Sequence, residues 1–215
     1  MEVSTEIPIL PFSIKPGEII SMGLETVTRE LGPDYVVKTP HSESVKIGRG
    51  SAEYLKQTRD DYLLLKEYVP GFVPETYFVR VSGGDGKPPT NCIVQRRLKN
   101  PRPLLEVSDE EFHEPEVASQ LLEYIKGVMN MDKVTGKIPD MFGRPVHPLN
   151  PRFYNPRYCK NVCIAEDEHG QKRVYLTDIG AITEHAEKKD PRHKISMRLI
   201  RKNLQKFRNV FENSE

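Results

Sequence analysis

Tryptophan is absent from the 215 residues, and cysteine occurs only at Cys92, Cys159 and Cys163. Three sparse cysteines build no disulfide framework, and no second ligand pair stands near Cys159 and Cys163 to complete a zinc site. A reducing compartment is the expectation. An excess of one charge is missing too: Lys and Arg number 32 against 31 for Asp and Glu, a net +1. Bulk charge therefore argues against nucleic-acid binding. No run approaches the ~20 apolar residues of a membrane span, and the first residues carry neither a basic start nor a long apolar core. The expected address is cytoplasmic, with no membrane partner.

Proline, in contrast, is abundant at 18, which implies many short elements and rigid connections. With 37% apolar and 29% charged residues, the composition is that of a globular chain long enough for one large domain or two small lobes. The segment from Met1 to Lys15 reads as an extended arm. Ile19 to Leu31 reads as a strand, Gly32-Pro33-Asp34 as a turn, and Tyr35-Val36-Val37 as a buried strand closed by Lys38. A lysine at such a strand end either snorkels to solvent or holds its ammonium near a carboxylate and a ligand phosphate.

Residues 51–68 form the clearest helix, with Tyr54, Leu55, Thr58, Tyr62, Leu65 and Tyr68 at three- and four-residue spacing and Ser51 as cap. Asp61 borders that stripe; it either reaches inward or is an ordinary solvated carboxylate. Two further strands, 72–81 and 91–98, flank a flexible Gly-rich loop, giving a mainly antiparallel sheet with one helix. Lys99 to Pro103 is read as a crossing segment at a lobe boundary. Residues 108–131 are expected to be one helix capped at Ser108, with Val117, Leu121, Leu122, Ile125, Val128 and Met129 on its apolar face. Residues 132–160 hold no long periodic segment, and a loop of that length is usually functional or poorly ordered.

The chain's organising stretch comes next. Val162-Cys163-Ile164-Ala165 and Val174-Tyr175-Leu176 read as paired strands across a charged turn, a hairpin over 162–177. Antiparallel pairing brings Asn161 and Asp178 together at its open end, an amide oxygen and a carboxylate of the kind Mg²⁺ prefers. A helix over 194–211 closes the chain, with Ile200, Leu204, Phe207 and Phe211 inward. Its other side carries Arg198, Arg201, Lys202, Lys206 and Arg208, either solvated or a surface for a protein partner.

In order, these features resemble a protein kinase in reduced form. The resemblance implies that Gly23 belongs to the glycine loop over ATP, that Lys38 holds the α/β-phosphates and pairs with Asp61, and that Gln95-Arg96-Arg97 falls at the adenine hinge. It also implies that Asn161 and Asp178 bind magnesium, with Asp178-Ile179-Gly180 standing for Asp-Phe-Gly. More narrowly, the chain resembles the small bacterial YrbL-type kinase-like proteins of the PhoP regulatory network, in length, loop, Asp-Ile-Gly turn and single basic last helix. The implied fold is α+β with two lobes. Residues 1–98 form the N-lobe, and 99–215 a truncated C-lobe with a catalytic-like loop over 144–161.

Departures from that pattern are specific. The catalytic aspartate's position, five residues before Asn161, holds Pro156, and no carboxylate stands between Asn150 and Asn161. One glycine replaces the usual three, Asp61 is a methylene shorter than the family's Glu, and 35 residues follow Gly180, too few for an activation segment and substrate helices. Three functions are compatible with this: an ATP- and Mg²⁺-dependent phosphotransferase, a pseudokinase acting as a regulatory module, or a non-kinase α+β binding domain.

Overall fold

The Tyr35-Val36-Val37-Lys38 run lies in the middle of a six-stranded sheet. The computed structural model describes residues 7, 9–10, 17–22, 26–82, 88–141, 156–179, 181–183 and 191–212. Two compact units divide the chain: Met1–Asp60 with Pro74–Arg97, and Asp61–Val73 with Leu98–Glu215. The architecture is α+β, with an antiparallel sheet and helices.

In the first unit, β1 (Ile9–Leu10), β2 (Ile19–Met22), β3 (Thr26–Leu31), β4 (Tyr35–Pro40), β5 (Thr76–Val81) and β6 (Thr90–Arg96) run in the order β1-β5-β6-β4-β3-β2. Among the described residues only β1 pairs in parallel, with β5. Alternation puts Val37, Val81 and Cys92 inside, with Leu31, Val79 and Val94 packed on them. Burial pushes the Cys92 thiol up to about 11, so it behaves as a small apolar side chain. Gly32, at φ 70°, supplies the left-handed turn between β3 and β4.

The single strand expected over 19–31 is instead the β2–β3 hairpin, with Met22 opposite Val27. Thirteen residues exceed the usual strand length, and reversal lets the two halves pair with each other. Gly23 lies outside the described residues. A short helix, α1 (Ser42–Ser44), runs into a π turn over Val45–Arg49, and α2 (Ala52–Tyr68) follows. Ser51 caps α2 as expected: its hydroxyl accepts the Tyr54 N–H at 3.1 Å.

The second unit takes the end of α2, from Asp61, and a 3₁₀ turn over Pro70–Phe72. Then come β7 (Lys99–Pro103), α3 (Asp109–Phe112), α4 (Pro115–Thr135), β8 (Lys137–Pro139), β9 (Val162–Glu166), β10 (Lys172–Leu176), β11 (Ala181–Thr183) and α5 (Pro191–Glu212). The expected hairpin is β9–β10, in register from Val162↔Leu176 to Glu166↔Lys172, and Gly170 at φ 76° turns it. The expected terminal helix is α5, with Ile200, Leu204, Phe207 and Phe211 all buried.

Two expectations need correcting here. The helix read over 108–131 is broken: Ser108 caps only the one turn of α3, and the chain restarts at Pro115. Proline forces extended backbone on the residue before it, and Glu114 sits at φ −56°, ψ 132°. The second concerns Lys99–Pro103, which is no mere crossing but an edge strand on β9. Its ladder is irregular between Lys99 and Arg102, where Pro101 has no N–H to give, and the edge tolerates that.

Packing in this unit is aromatic. Phe112 and Phe211 lie 5.5 Å apart, Phe72 and Tyr124 5.3 Å. A Cβ at Gly127 would stand 2.6 Å from the Tyr68 carbonyl oxygen, so glycine lets α4 meet the end of α2. Glu111, buried, is gripped by the Arg102 guanidinium and lies 3.3 Å from Lys172 Nζ, which holds its carboxyl below the ordinary range. No helix among the described residues is long and apolar enough to cross a membrane.

Candidate functional site

In the first unit, Lys38 is half-buried on β4, opposite Thr28 and Ile93. It lines a small cleft with Thr26, Arg49, Tyr54, Asn91 and Ile93, of about 20 Å³, room for roughly one water. Arg49 lies over the Tyr54 ring at 5.4 Å and donates to its hydroxyl at 3.3 Å. Asn91, 2% exposed, donates to the carbonyls of Arg49 and Ser51 at 3.0 and 2.7 Å and accepts from Arg80 Nε at 3.2 Å. That one amide holds the backbone at which α2 begins. Sequence reading passed over it, since an Asn in a strand announces nothing until its partners are known.

Of the residues carried over to an adenine hinge, Gln95 is buried and donates to Thr76 Oγ1 at 3.3 Å. Arg97 pairs with Glu30 at 3.0 Å, and Arg96 stands 4.0 Å from Glu75. Their backbone N–H groups also extend the sheet, Arg96 to Glu75 O and Arg97 to Asp34 O. These side chains tie strand ends together.

The second unit holds the other candidates. Asp61 is not a solvated carboxylate: it is 5% exposed, and Lys137 Nζ lies 3.1 Å from its Oδ1. A carboxylate this buried needs such a partner. Lys137 opens β8, 76 residues on, which is why helix periodicity gave no sign of it.

The hairpin mouth brings Asn161 and Asp178 close as expected, but the amide turns its nitrogen, not the expected oxygen, to the carboxylate. Thr177 donates its N–H and hydroxyl to the Asn161 carbonyl at 2.8 and 3.1 Å, prolonging the ladder past β10. Asn161 Nδ2 then lies 3.5 Å from Asp178 Oδ2, at the limit of a hydrogen bond, and donates to the Asp140 carbonyl at 2.7 Å. A carbonyl can only accept, so this bond fixes which end of the amide is nitrogen and turns Oδ1 the other way. Asn161 N also donates to Met141 O at 3.0 Å. Asp178 itself is exposed, just ahead of buried Ile179.

Asp140, whose backbone carbonyl joins this group, precedes Asn161 by 21 positions, so no local spacing in the sequence points to it. Tyr124 Oη is buried with no hydrogen-bond partner among the described residues, and burial, with Cys159 and Asp140 adding to it, raises that hydroxyl well above its ordinary range. On the return limb to Asn161, Arg157 bonds the Asp109 carboxylate and the Val107 carbonyl and lies 5.5 Å over Phe112. Position 156, where the kinase pattern wants a carboxylate, is the first residue of a 3₁₀ turn.

The donor set suits a hard cation. Among the described residues no three His, Cys, Asp or Glu side chains converge as a closed site would require. Mg²⁺ asks less: one or two side-chain oxygens, with water and phosphate completing its shell. Asp178 offers an exposed carboxylate of that kind, whereas Asn161 turns its amide nitrogen, not its oxygen, toward it.

On α5, Arg201 makes a bidentate pair with Asp132 at 2.8 Å and Arg208 bonds Glu212 at 2.8 Å. Two of the basic residues assigned to a partner surface thus hold carboxylates of their own chain, while Lys202 and Lys206 are exposed. No family model matches this chain, and no curated protein matches it.

Proposed function

We propose that this protein binds ATP with Mg²⁺, as a reduced kinase-like protein of the YrbL type, and acts as a small phosphotransferase. The observation that carries the reading is the Asn161–Asp178 pair, brought within 3.5 Å (Nδ2 to Oδ2) at the hairpin mouth, where the exposed Asp178 carboxylate is a hard donor. Bound there, the metal would neutralise phosphate charge. By the resemblance, the phosphate-holding role falls to Lys38, on the sheet of the first unit. The Asp140 carbonyl holds the Asn161 amide in one orientation.

A regulatory pseudokinase is the second reading, favoured by Pro156 at the position where a carboxylate is wanted. Thermal unfolding with and without ATP and Mg²⁺ tests the binding that both share. Nucleotide at ~100 times its Kd stabilises by about 2.7 kcal/mol, a rise in Tm of roughly 5–10 °C for a chain of this size. Asp178→Ala and Lys38→Ala are expected to abolish that rise. A parent protein with no rise, or one that both variants preserve, leaves the non-kinase binding domain in its place.

A further inference from the structure

We propose that Arg49 joins Lys38 in an oxyanion site, the cleft between the sheet of the first unit and the start of α2 taking one oxygen of a phosphate group. The source of that phosphate, a nucleotide, rests on the reading above; the site stands on the first unit alone. Two strands and a turn build it. Lys38 on β4 stands opposite Ile93 on β6, and Asn91, two residues before Ile93, lies on the same side of the sheet. The Asn91 amide donates to the carbonyls of Arg49 and Ser51 at 3.0 and 2.7 Å, which fixes the end of the π turn against that side. Such turns are rare and recur at functional sites.

The side chain so placed is a guanidinium, and it is held. Arg49 Nη1 donates to Tyr54 Oη at 3.3 Å, and Arg49 Cζ lies 5.4 Å over the Tyr54 ring. A half-buried arginine stacked in this way loses little freedom on meeting an oxyanion, and its planar fork matches phosphate oxygens. Among the described residues that line the cleft, Lys38 and Arg49 bring two cations and none is acidic. Its volume of about 20 Å³ admits one oxygen and no larger group, so the rest of the phosphate stays in water at the mouth. Pro40, Leu55 and Ile93 complete the lining with apolar surface, which lowers the local dielectric and strengthens the pull of both charges. A neutral ligand gains nothing from two cations, so the ligand's class is anionic.

The test titrates inorganic tripolyphosphate, without Mg²⁺, into the full chain and into Arg49→Gln, and reads affinity from the dose dependence of Tm. The parent is expected to gain stability, and Arg49→Gln to bind about tenfold or more weakly, for want of one charge-assisted hydrogen bond. An Arg49 that only braces Tyr54 would instead lower Tm without ligand and leave the affinity alone. A parent that ignores tripolyphosphate overturns the site, as does a variant whose affinity stays within about threefold of the parent's. A parallel titration with ATP and Mg²⁺ separates the two readings. A rise with tripolyphosphate and none with ATP upholds the site and sinks the nucleotide; a rise with ATP alone overturns the site and leaves the nucleotide standing. If Arg49→Gln does not fold, the parent decides: reaction of Arg49 with phenylglyoxal, followed by peptide mass, is expected to slow about tenfold in tripolyphosphate at ~10 times its Kd, and an unslowed reaction overturns the site.

Discussion

The two units manage charge in opposite ways. In the first, Arg97 and Glu30 pair at strand ends in solvent, 3.0 Å apart with side chains 42% and 39% exposed. In the second, several carboxylates are drawn inward, and two of them are met by cations from far along the chain. Lys137 reaches Asp61 across 76 residues, and Arg201 reaches Asp132 across 69. A sheet of short hairpins satisfies its polar backbone locally, so its charges are left for the rim. Helices packed on a small sheet bury side chains that no neighbour in sequence can satisfy, and only the tertiary fold supplies the partner.

The sharpest break of this contrast is Gly127→Ala. The new methyl would press on the Tyr68 carbonyl and Val69 Cγ1, both at 2.6 Å, and backbone yields little. Better helix propensity offsets part of the strain, and a net loss of about 1–3 kcal/mol is expected in calorimetric or denaturant unfolding. A stability at or above the parent's would mean that α4 and the end of α2 are not packed this closely.

Glu111→Gln is expected to cost less, about 1 kcal/mol, because Arg102 remains largely in water. The pH dependence carries the sign. Arg102 lowers the folded-state pKa of Glu111 below its ordinary 4.5. The stability it contributes is therefore fully present above pH 4.5 and lost as pH falls through the lowered value. Parent and variant curves should converge in acid; a gap constant with pH would deny the ion pair its role. Arg97→Ala, at the rim of the first unit, is expected to change stability by less than about 1 kcal/mol and to matter less still in high salt. A larger loss would erase the distinction between the units.

How far each feature was legible follows the same line. The α2 cap at Ser51, the β9–β10 strands and the buried face of α5 were read from local spacing, since apolar period and capping act over a few residues. The closeness of Asn161 and Asp178 was legible too, because hairpin register fixes it. The break between α3 and α4 had its sign in Pro115, overridden by the apolar stripe on both sides. β7 was hidden by its prolines, which speak against a strand unless it lies at an edge. Nothing local marked Lys137 as the partner of Asp61, or Asp140 as the neighbour of Asn161.

The sequence by itself determined the α+β character, the hairpin with Asn161 and Asp178 at its mouth, and the strand that carries Lys38. All of these follow from periodicity and turn chemistry within a dozen or so residues. Tertiary structure alone decided which buried charge meets which partner, where Gln95 and Asn91 spend their amides, and that the Asp140 carbonyl stands against Asn161. Hydrogen bonds and ion pairs that satisfy buried groups are chosen by distance in space, and a chain folded back over 21 or 76 residues leaves no period by which to read them.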